Sequence, residues 1–242
     1  MPILVISDIH ANLTALEAVL SDAGEFEATW CLGDLVGYGP DPNECIARIQ
    51  ELPNLTCIIG NHDAAALKRI ETEAFNPEAR SSIYWTQGKL SKESWQFLGK
   101  LSEKTRMDDV TLAHGSPRHP VWEYLLDTSS AAMSFQFFNT LFCFVGHTHL
   151  PVIYTDNHLS DSVELNIPHA NQVITLPGRS IVNPGSVGQP RDRDTRASYA
   201  LFDTTTKHWD YRRVPYDILE VQERMKEANL PERHIIRLSA GW

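Results

Sequence analysis

Cysteine is scarce in this 242-residue chain: four residues, at 31, 45, 57 and 143, with no C-x-x-C pair among them. That excludes a disulfide framework and a zinc knuckle, and three of the four sit inside apolar runs as expected of buried free thiols in a reducing cytoplasm. Long hydrophobic runs are also missing. The longest apolar stretch, around Phe135 to Val145, is broken by Gln136, Asn139 and Thr140, and the opening Met1-Pro2-Ile3-Leu4-Val5-Ile6-Ser7-Asp8 has no basic n-region, so neither a signal peptide nor a membrane span is expected. Basic charge is in deficit. Lys and Arg number 21 against 31 Asp and Glu, a formal charge of −10 that repels nucleic-acid phosphates and argues against bulk polyanion binding. Internal repeats and low-complexity segments are absent too, and no linker divides the chain. With 42% apolar residues there is enough for a sizeable core, so residues 1–242 are expected to form one domain.

The apolar residues that are present show two periods. Ile3 to Ile6 is a short continuous run followed by Leu13, Leu16, Val19 and Leu20 on one helical face. Thr29 to Leu32 leads through a Gly-rich turn, Gly33 to Pro40, into a helix over Pro42 to Leu52, and Leu55 to Ile59 reads as a third strand. This alternation predicts βαβ units and a mainly parallel sheet. Ala74 to Leu101 carries two helical patterns, so a helical elaboration is expected at 72–107. Its Trp85 and Trp95, like Trp122 and Tyr124 further on, pack a helical layer or line a pocket. From Val110 onward short strands dominate, at Val110 to Ala113, Phe142 to Val145, Val152 to Tyr154, Gln172 to Leu176, Ser180 to Val182, Ser198 to Phe202 and Trp209 to Val214, which suggests antiparallel sheet. Asp156 to Asn171 is polar enough for a loop, and Asp217 to Ala228 reads as a closing helix with Asp217 as its N-cap. The expected fold class is therefore α/β, with two sheets face to face and helices outside.

Chemistry-bearing residues gather at the predicted C-terminal ends of strands, where open α/β sheets place ligands. They are Asp8-Ile9-His10, Gly33-Asp34, Gly60-Asn61-His62-Asp63, His114-Gly115 and Gly146-His147-Thr148-His149. In extended chain Asp8 with His10, and His147 with His149, would point to the same side and supply two ligands at one place. Together these donors exceed what one metal can use, which implies two. Nitrogen and oxygen donors without thiolate suit Mn, Fe or Zn better than Ca or Mg. The glycines at 33, 60, 115 and 146 allow sharp turns and close approach.

This ordered series, D-x-H, G-D, G-N-H-D, H and G-H-x-H, resembles the calcineurin-like metallophosphoesterase superfamily throughout residues 8 to 149. The resemblance implies a two-sheet sandwich flanked by helices, a four-layer αββα fold. It implies that one metal takes Asp8, His10, Asp34 and His149 and the second takes Asn61, His114 and His147, with Asp34 bridging, Mn²⁺ preferred over Fe or Zn. Such a pair activates a shared water for in-line attack, so metal-bound hydroxide would hydrolyse a small phosphodiester or phosphomonoester. His62 would protonate the departing alkoxide, oriented by Asp63. In the protein Ser/Thr phosphatases and the diadenosine tetraphosphate hydrolases of the superfamily the second motif reads G-D-x-V-D-R-G; here Gly37 and Tyr38 replace its second Asp and its Arg, which counts against a protein phosphatase. The chain is more similar to the compact prokaryotic phosphodiesterase branch, a likeness extended by Asn183-Pro184-Gly185-Ser186-Val187-Gly188. In that branch the late loop borders the site, and Arg191 with Arg193 could supply the missing anion grip; a solvated turn of alternating charge over 191–194 is the other reading. A non-catalytic scaffold, as in the retromer subunit of this fold, has little reason to keep His62 and every ligand position. His119, His158, His169, His208 and His234 lie outside the series and read as ordinary surface or core residues.

Overall fold

A computed structural model of the chain describes residues 1–157 and 162–242. In order, its elements are β1 (Ile3–Ile6), α1 (Leu13–Ala23), β2 (Ala28–Cys31), α2 (Pro42–Gln50), β3 (Leu55–Cys57), α3 (Asn61–Ala66), α4 (Pro77–Lys89), α5 (Lys92–Leu98), β4 (Lys104–Met107), β5 (Val110–Ala113), α6 (Thr128–Ser134), β6 (Phe142–Phe144), β7 (Pro151–Asn157), β8 (Ser162–Asn166), β9 (Gln172–Thr175), β10 (Ser180–Pro184), β11 (Ala197–Phe202), β12 (His208–Val214), α7 (Ile218–Glu227) and α8 (Glu232–Ala240). Two six-stranded sheets result, ordered β3-β2-β1-β11-β12-β9 and β4-β5-β6-β10-β7-β8. Both are mixed. In the first, β1, β2 and β3 run parallel and β11 joins β1 antiparallel; in the second, β5, β6 and β10 run parallel.

Alternation along the strands makes the layers. Ile3 and Val5 of β1 point between the sheets, where they meet Phe142, Phe144, Phe202 and Trp209. Their neighbours Leu4 and Ile6 point outward onto Leu16 and Val19 of α1 and Ile46 of α2. On the far side, Cys143, Val145 and Ile181 pack against Ala131 and Phe135 around α6. This is the four-layer arrangement expected. The N-cap of α1 is Asn12, whose side chain accepts from the Ala15 amide, and Gly24 at φ 70° ends that helix.

Several expectations need correction. The segment 72–107 is helical only as far as Leu98; Lys104–Met107 is a strand on the edge of the second sheet, its side chains exposed or half-buried and so without an apolar signature. The expected loop at 156–171 instead contains the end of β7 and the whole of β8, a polar edge strand paired to β7. Asp217 does cap α7, accepting from the Glu220 amide, but α7 is not the last helix: α8 folds back on it through Val221, Met225, Ile235 and Leu238. The second half is not purely antiparallel, because β6 lies parallel between β5 and β10. Cys31, Cys45 and Cys143 are buried free thiols and Cys57 is half-buried. Among the described residues no helix is long and apolar enough to cross a membrane.

Candidate metal centre

The loops that leave β1, β2, β3, β5, β6 and β10 converge at one end of the two sheets. The β1 and β2 loops run side by side, with the Asp8 amide donating to the Gly33 carbonyl at 3.0 Å and the His10 amide to the Asp34 carbonyl at 2.9 Å. Asp8, His10, Asp34, Asn61, His62, His114, His147 and His149 are all buried there. Extended-chain alternation is not what aligns them. Asp8, His10, Asp34, His147 and His149 have φ between 49° and 65°, the left-handed region that side-chain-bearing residues seldom occupy. The motifs after β1, β2 and β6 are tight turns off their strands, and those turns bring the two side chains of each i, i+2 pair inward. Such backbone costs of order 1–3 kcal/mol per residue and persists only where its surroundings over-determine it. Gly60 shows why small residues are needed nearby: a Cβ there would collide with the Asp34 carboxylate and lie 2.3 Å from its amide.

Backbone carbonyls set the imidazoles. His10 Nδ1 donates to the Val36 carbonyl (3.2 Å), His114 Nδ1 to that of Leu32 (2.8 Å), His149 Nδ1 to that of Gln189 (2.6 Å) and His147 Nε2 to that of Trp122 (3.2 Å). A carbonyl only accepts, so each of these nitrogens carries the proton, and in the neutral ring the opposite nitrogen offers a lone pair. The lone pairs crowd together. His10 Nε2 and His149 Nε2 are 3.1 Å apart, and Asp8 Oδ1 lies 3.3 Å from the second. Asp34 Oδ2 is 3.6 Å from His10 Nε2 and 3.3 Å from His114 Nε2, which also faces Asn61 Oδ1 at 3.1 Å. Asp34 Oδ1 accepts from the His62 amide at 2.9 Å. Three overlapping groups have donor atoms within 4.8 Å of one another: Asp8, His10 and His149; His10, Asp34 and His62; Asp34, His114 and His147. Buried lone pairs aimed at one another demand a positive charge between them, so the donor set fits divalent metal ions.

Electrostatics agree with that need. Burial pushes His10, His147 and His149 well below the usual imidazole range, keeping them neutral and available as ligands. Burial would also raise Asp34, but the charge of His114 and its hydrogen bond outweigh it and hold this carboxyl well below its usual value. Burial similarly opposes a proton on His114, yet Asp34 raises it to about 9, while burial lifts Asp8 to about 6.

His62 stands beside the cluster, edge-on to His10 with ring centroids 5.0 Å apart, between Tyr38 (4.3 Å) and Phe75 (5.1 Å). Asp63 does not orient it. Both Asp63 oxygens are taken by backbone amides, Asp34 and Gly60 on Oδ2 and Val36 on Oδ1, so it ties the β2 loop to the start of α3. His62 Nδ1 is buried without a partner, against Gly37, where a Cβ would sit 2.5 Å away.

The late loop borders the cluster as expected. Ser186 Oγ donates to the Asp8 carbonyl at 2.8 Å, and Asn183 Nδ2 to that of Gly146 at 2.7 Å. Arg191 turns inward to Tyr38 and Gln189, whereas Arg193 is exposed; Asp192 pairs with Arg213 and Asp194 with Arg196, so 191–194 is not merely a solvated turn. Tyr124 stacks on His147 at 3.8 Å and is 47% exposed, Trp122 holds His147 through its carbonyl, and Trp85 packs against the α7–α8 hairpin. His119, His169 and His208 are exposed, and His158 lies outside the described residues. His234 is a core residue, one of the two readings expected: buried on α8, its ring tilts against that of Tyr38 with centroids 4.5 Å apart. The residues that sequence reasoning missed, Val36, Leu32, Gln189 and Trp122, act through carbonyls that every residue type carries. No side-chain signal could have pointed to them.

Two mixed sheets flanked by helices, with five histidine- and aspartate-bearing turns meeting at one end, define the metallophosphoesterase fold. A sequence model of the calcineurin-like phosphoesterase superfamily domain matches residues 1–207. An uncharacterized protein of Methanocaldococcus jannaschii is 37% identical over 237 residues, 95% of this chain and 94% of its own. The crystal structure of a metallophosphoesterase from Sphaerobacter thermophilus superposes with a TM-score of 0.91 at 48% identity, covering 100% of both chains. A hypothetical protein from Pyrococcus horikoshii OT3 shares the fold at TM-score 0.81 and 23% identity, over 100% of this chain and 98% of its own. The chain belongs to the calcineurin-like phosphoesterase superfamily and is a phosphoric ester hydrolase.

Proposed function

We propose that this protein hydrolyses a small phosphodiester, or a phosphomonoester, with two divalent metal ions, Mn²⁺ in preference to Fe or Zn. One ion would be held by Asp8, His10, Asp34 and His149, and the other by Asn61, His114 and His147, with Asp34 shared. The observation that carries this reading is the set of four imidazoles, each tied to a carbonyl through one nitrogen and turning the other toward Asp8, Asp34 or a second imidazole. Bound there, the ions would polarise the phosphoryl oxygens and acidify water at neutral pH.

The chain's own residues supply the rest. Arg191 grips a phosphoryl oxygen through its guanidinium. His62 gives its proton from Nε2 to the leaving oxygen, since its Nδ1 is closed off against Gly37. Burial takes the free imidazole down to about 4, and the negative charge of a bound ester acts in the opposite direction, raising its proton affinity when substrate is present. Tyr38 and Phe75 hold the ring from both sides. Residues 1–242 act as one domain, and the buried free thiols fit a reducing cytoplasm. Elemental analysis of the purified protein, with a panel of model esters and phosphopeptides assayed with added Mn²⁺, tests the reading. Two equivalents of metal and turnover of small diesters are expected; selective turnover of phosphopeptides would replace it with a protein phosphatase, and a metal-free, inactive protein with a scaffold.

A further inference from the structure

Most buried or half-buried arginines in this molecule have a carboxylate: Arg212 pairs with Asp210, Arg213 with Asp192 and Arg224 with Asp41. Two do not. Among the described residues no carboxylate lies within ion-pair distance of Arg191 or Arg237, and the Nε–H of each is buried without an acceptor. Instead both guanidinium groups converge on one neutral atom. Arg191 Nη2 donates to Gln189 Oε1 at 3.0 Å and Arg237 Nη1 approaches the same oxygen at 3.5 Å, with the Tyr38 hydroxyl 3.3 Å from Arg191 Nη2.

Two like charges sharing a single amide oxygen, in a chain of net charge −10, form an arrangement that an anion would complete. Its place is beside the cluster. The Gln189 carbonyl holds His149, while the Tyr38 ring lies 4.5 Å from His10 and 4.3 Å from His62. Arg237 comes from α8, beyond the 1–207 stretch matched by the superfamily, and the α7–α8 hairpin is fixed there by the Arg193 amide donating to the Gly241 carbonyl at 2.7 Å.

We infer that Arg237, next to the Arg191 that grips the scissile phosphoryl group, forms an anion subsite beside the hydrolytic centre, selecting phosphate esters that carry a second acidic group, such as another phosphate, a few bonds from the scissile one. The inference rests on the hydrolase reading above for the position of the scissile phosphate. One guanidinium would suffice for a single phosphoryl group that metal ions already hold; a second, with two unused buried N–H groups between them, has donors left for a further anion.

The test uses the Mn²⁺-loaded full chain and thymidine 5′-(4-nitrophenyl phosphate), with and without a 3′-phosphate, following 4-nitrophenol release. The KM of the 3′-phosphorylated ester should be at least about tenfold lower, a gap of one charge-assisted contact. Arg237→Gln should bring the ratio of the two KM values to near one, with Arg237→Lys in between. A wild-type ratio near one, or a ratio that survives Arg237→Gln because both KM values rise together, overturns the subsite. If neither ester is cleaved with any divalent metal, the hydrolase reading fails, and calorimetry with thymidine 3′,5′-bisphosphate then decides the subsite alone: about tenfold weaker binding in Arg237→Gln sustains it, and equal binding removes it.

Discussion

The space between the two sheets and the layer of loops at their ends are both buried, and they are built on opposite principles. Between the sheets, Phe144 lies flat on Trp209 at 5.3 Å and edge-on to Phe202 at 5.1 Å, on regular strands with apolar partners. At the loop end the buried groups are carboxylates and imidazoles, five of them (Asp8, His10, Asp34, His147 and His149) carried on left-handed backbone. The first region stabilises the fold and the second draws on that stability to hold repelling groups together. Substitutions should therefore separate cleanly into those that cost binding and turnover and those that cost stability.

The largest effect is expected from Asp34→Asn. This carboxylate faces both His10 and His114, so its loss should empty both metal positions in elemental analysis and abolish ester hydrolysis; two tightly held ions in that variant would refute the shared-ligand assignment. His62→Ala comes next, with metal content near the wild-type value and kcat down by about 10²- to 10⁴-fold. Undiminished kcat would remove the proton-donor role. Phe144→Ala attacks the other region: urea unfolding should show a loss of about 3–5 kcal/mol, while metal bound per folded molecule stays constant. A variant that instead loses metal at unchanged stability would erase the distinction between the two regions.

The smallest effect is a pH dependence of stability through His234, which faces Tyr38, Arg237, Arg191 and Glu78. Burial lowers this imidazole to about 4, so the folded state disfavours its proton and the unfolded chain does not. Its contribution is complete above the ordinary value of 6.5 and is lost as the pH falls from there toward 4, up to about 3 kcal/mol. His234→Phe should flatten that part of the urea-midpoint profile between pH 7 and 4, and an identical slope in both proteins would count against it.

Much of the sheet was legible because buried strands announce themselves by apolar runs: Ile3–Ile6 and Val110–Ala113 match residue for residue. The edge strands β4 and β8 were not, since an exposed edge keeps charged and polar side chains and reads as loop. At the site, the residue types in their motifs identified every member of the buried cluster, whereas the role expected of Asp63 failed because its carboxylate is consumed by two amides of the distant β2 loop and by that of Gly60 at the start of its own helix.

By itself, the order of aspartates, histidines and glycines after short apolar runs determined the class of chemistry, because few other arrangements require such donors at successive strand ends. Only the tertiary structure decided how they meet. Left-handed turns replace strand alternation, carbonyls of unremarkable residues choose which nitrogen of each ring faces inward, and a helix that begins only at Glu232 sets Arg237 beside Arg191. Those are consequences of through-space packing, and local sequence carries no information about a partner it meets only after folding.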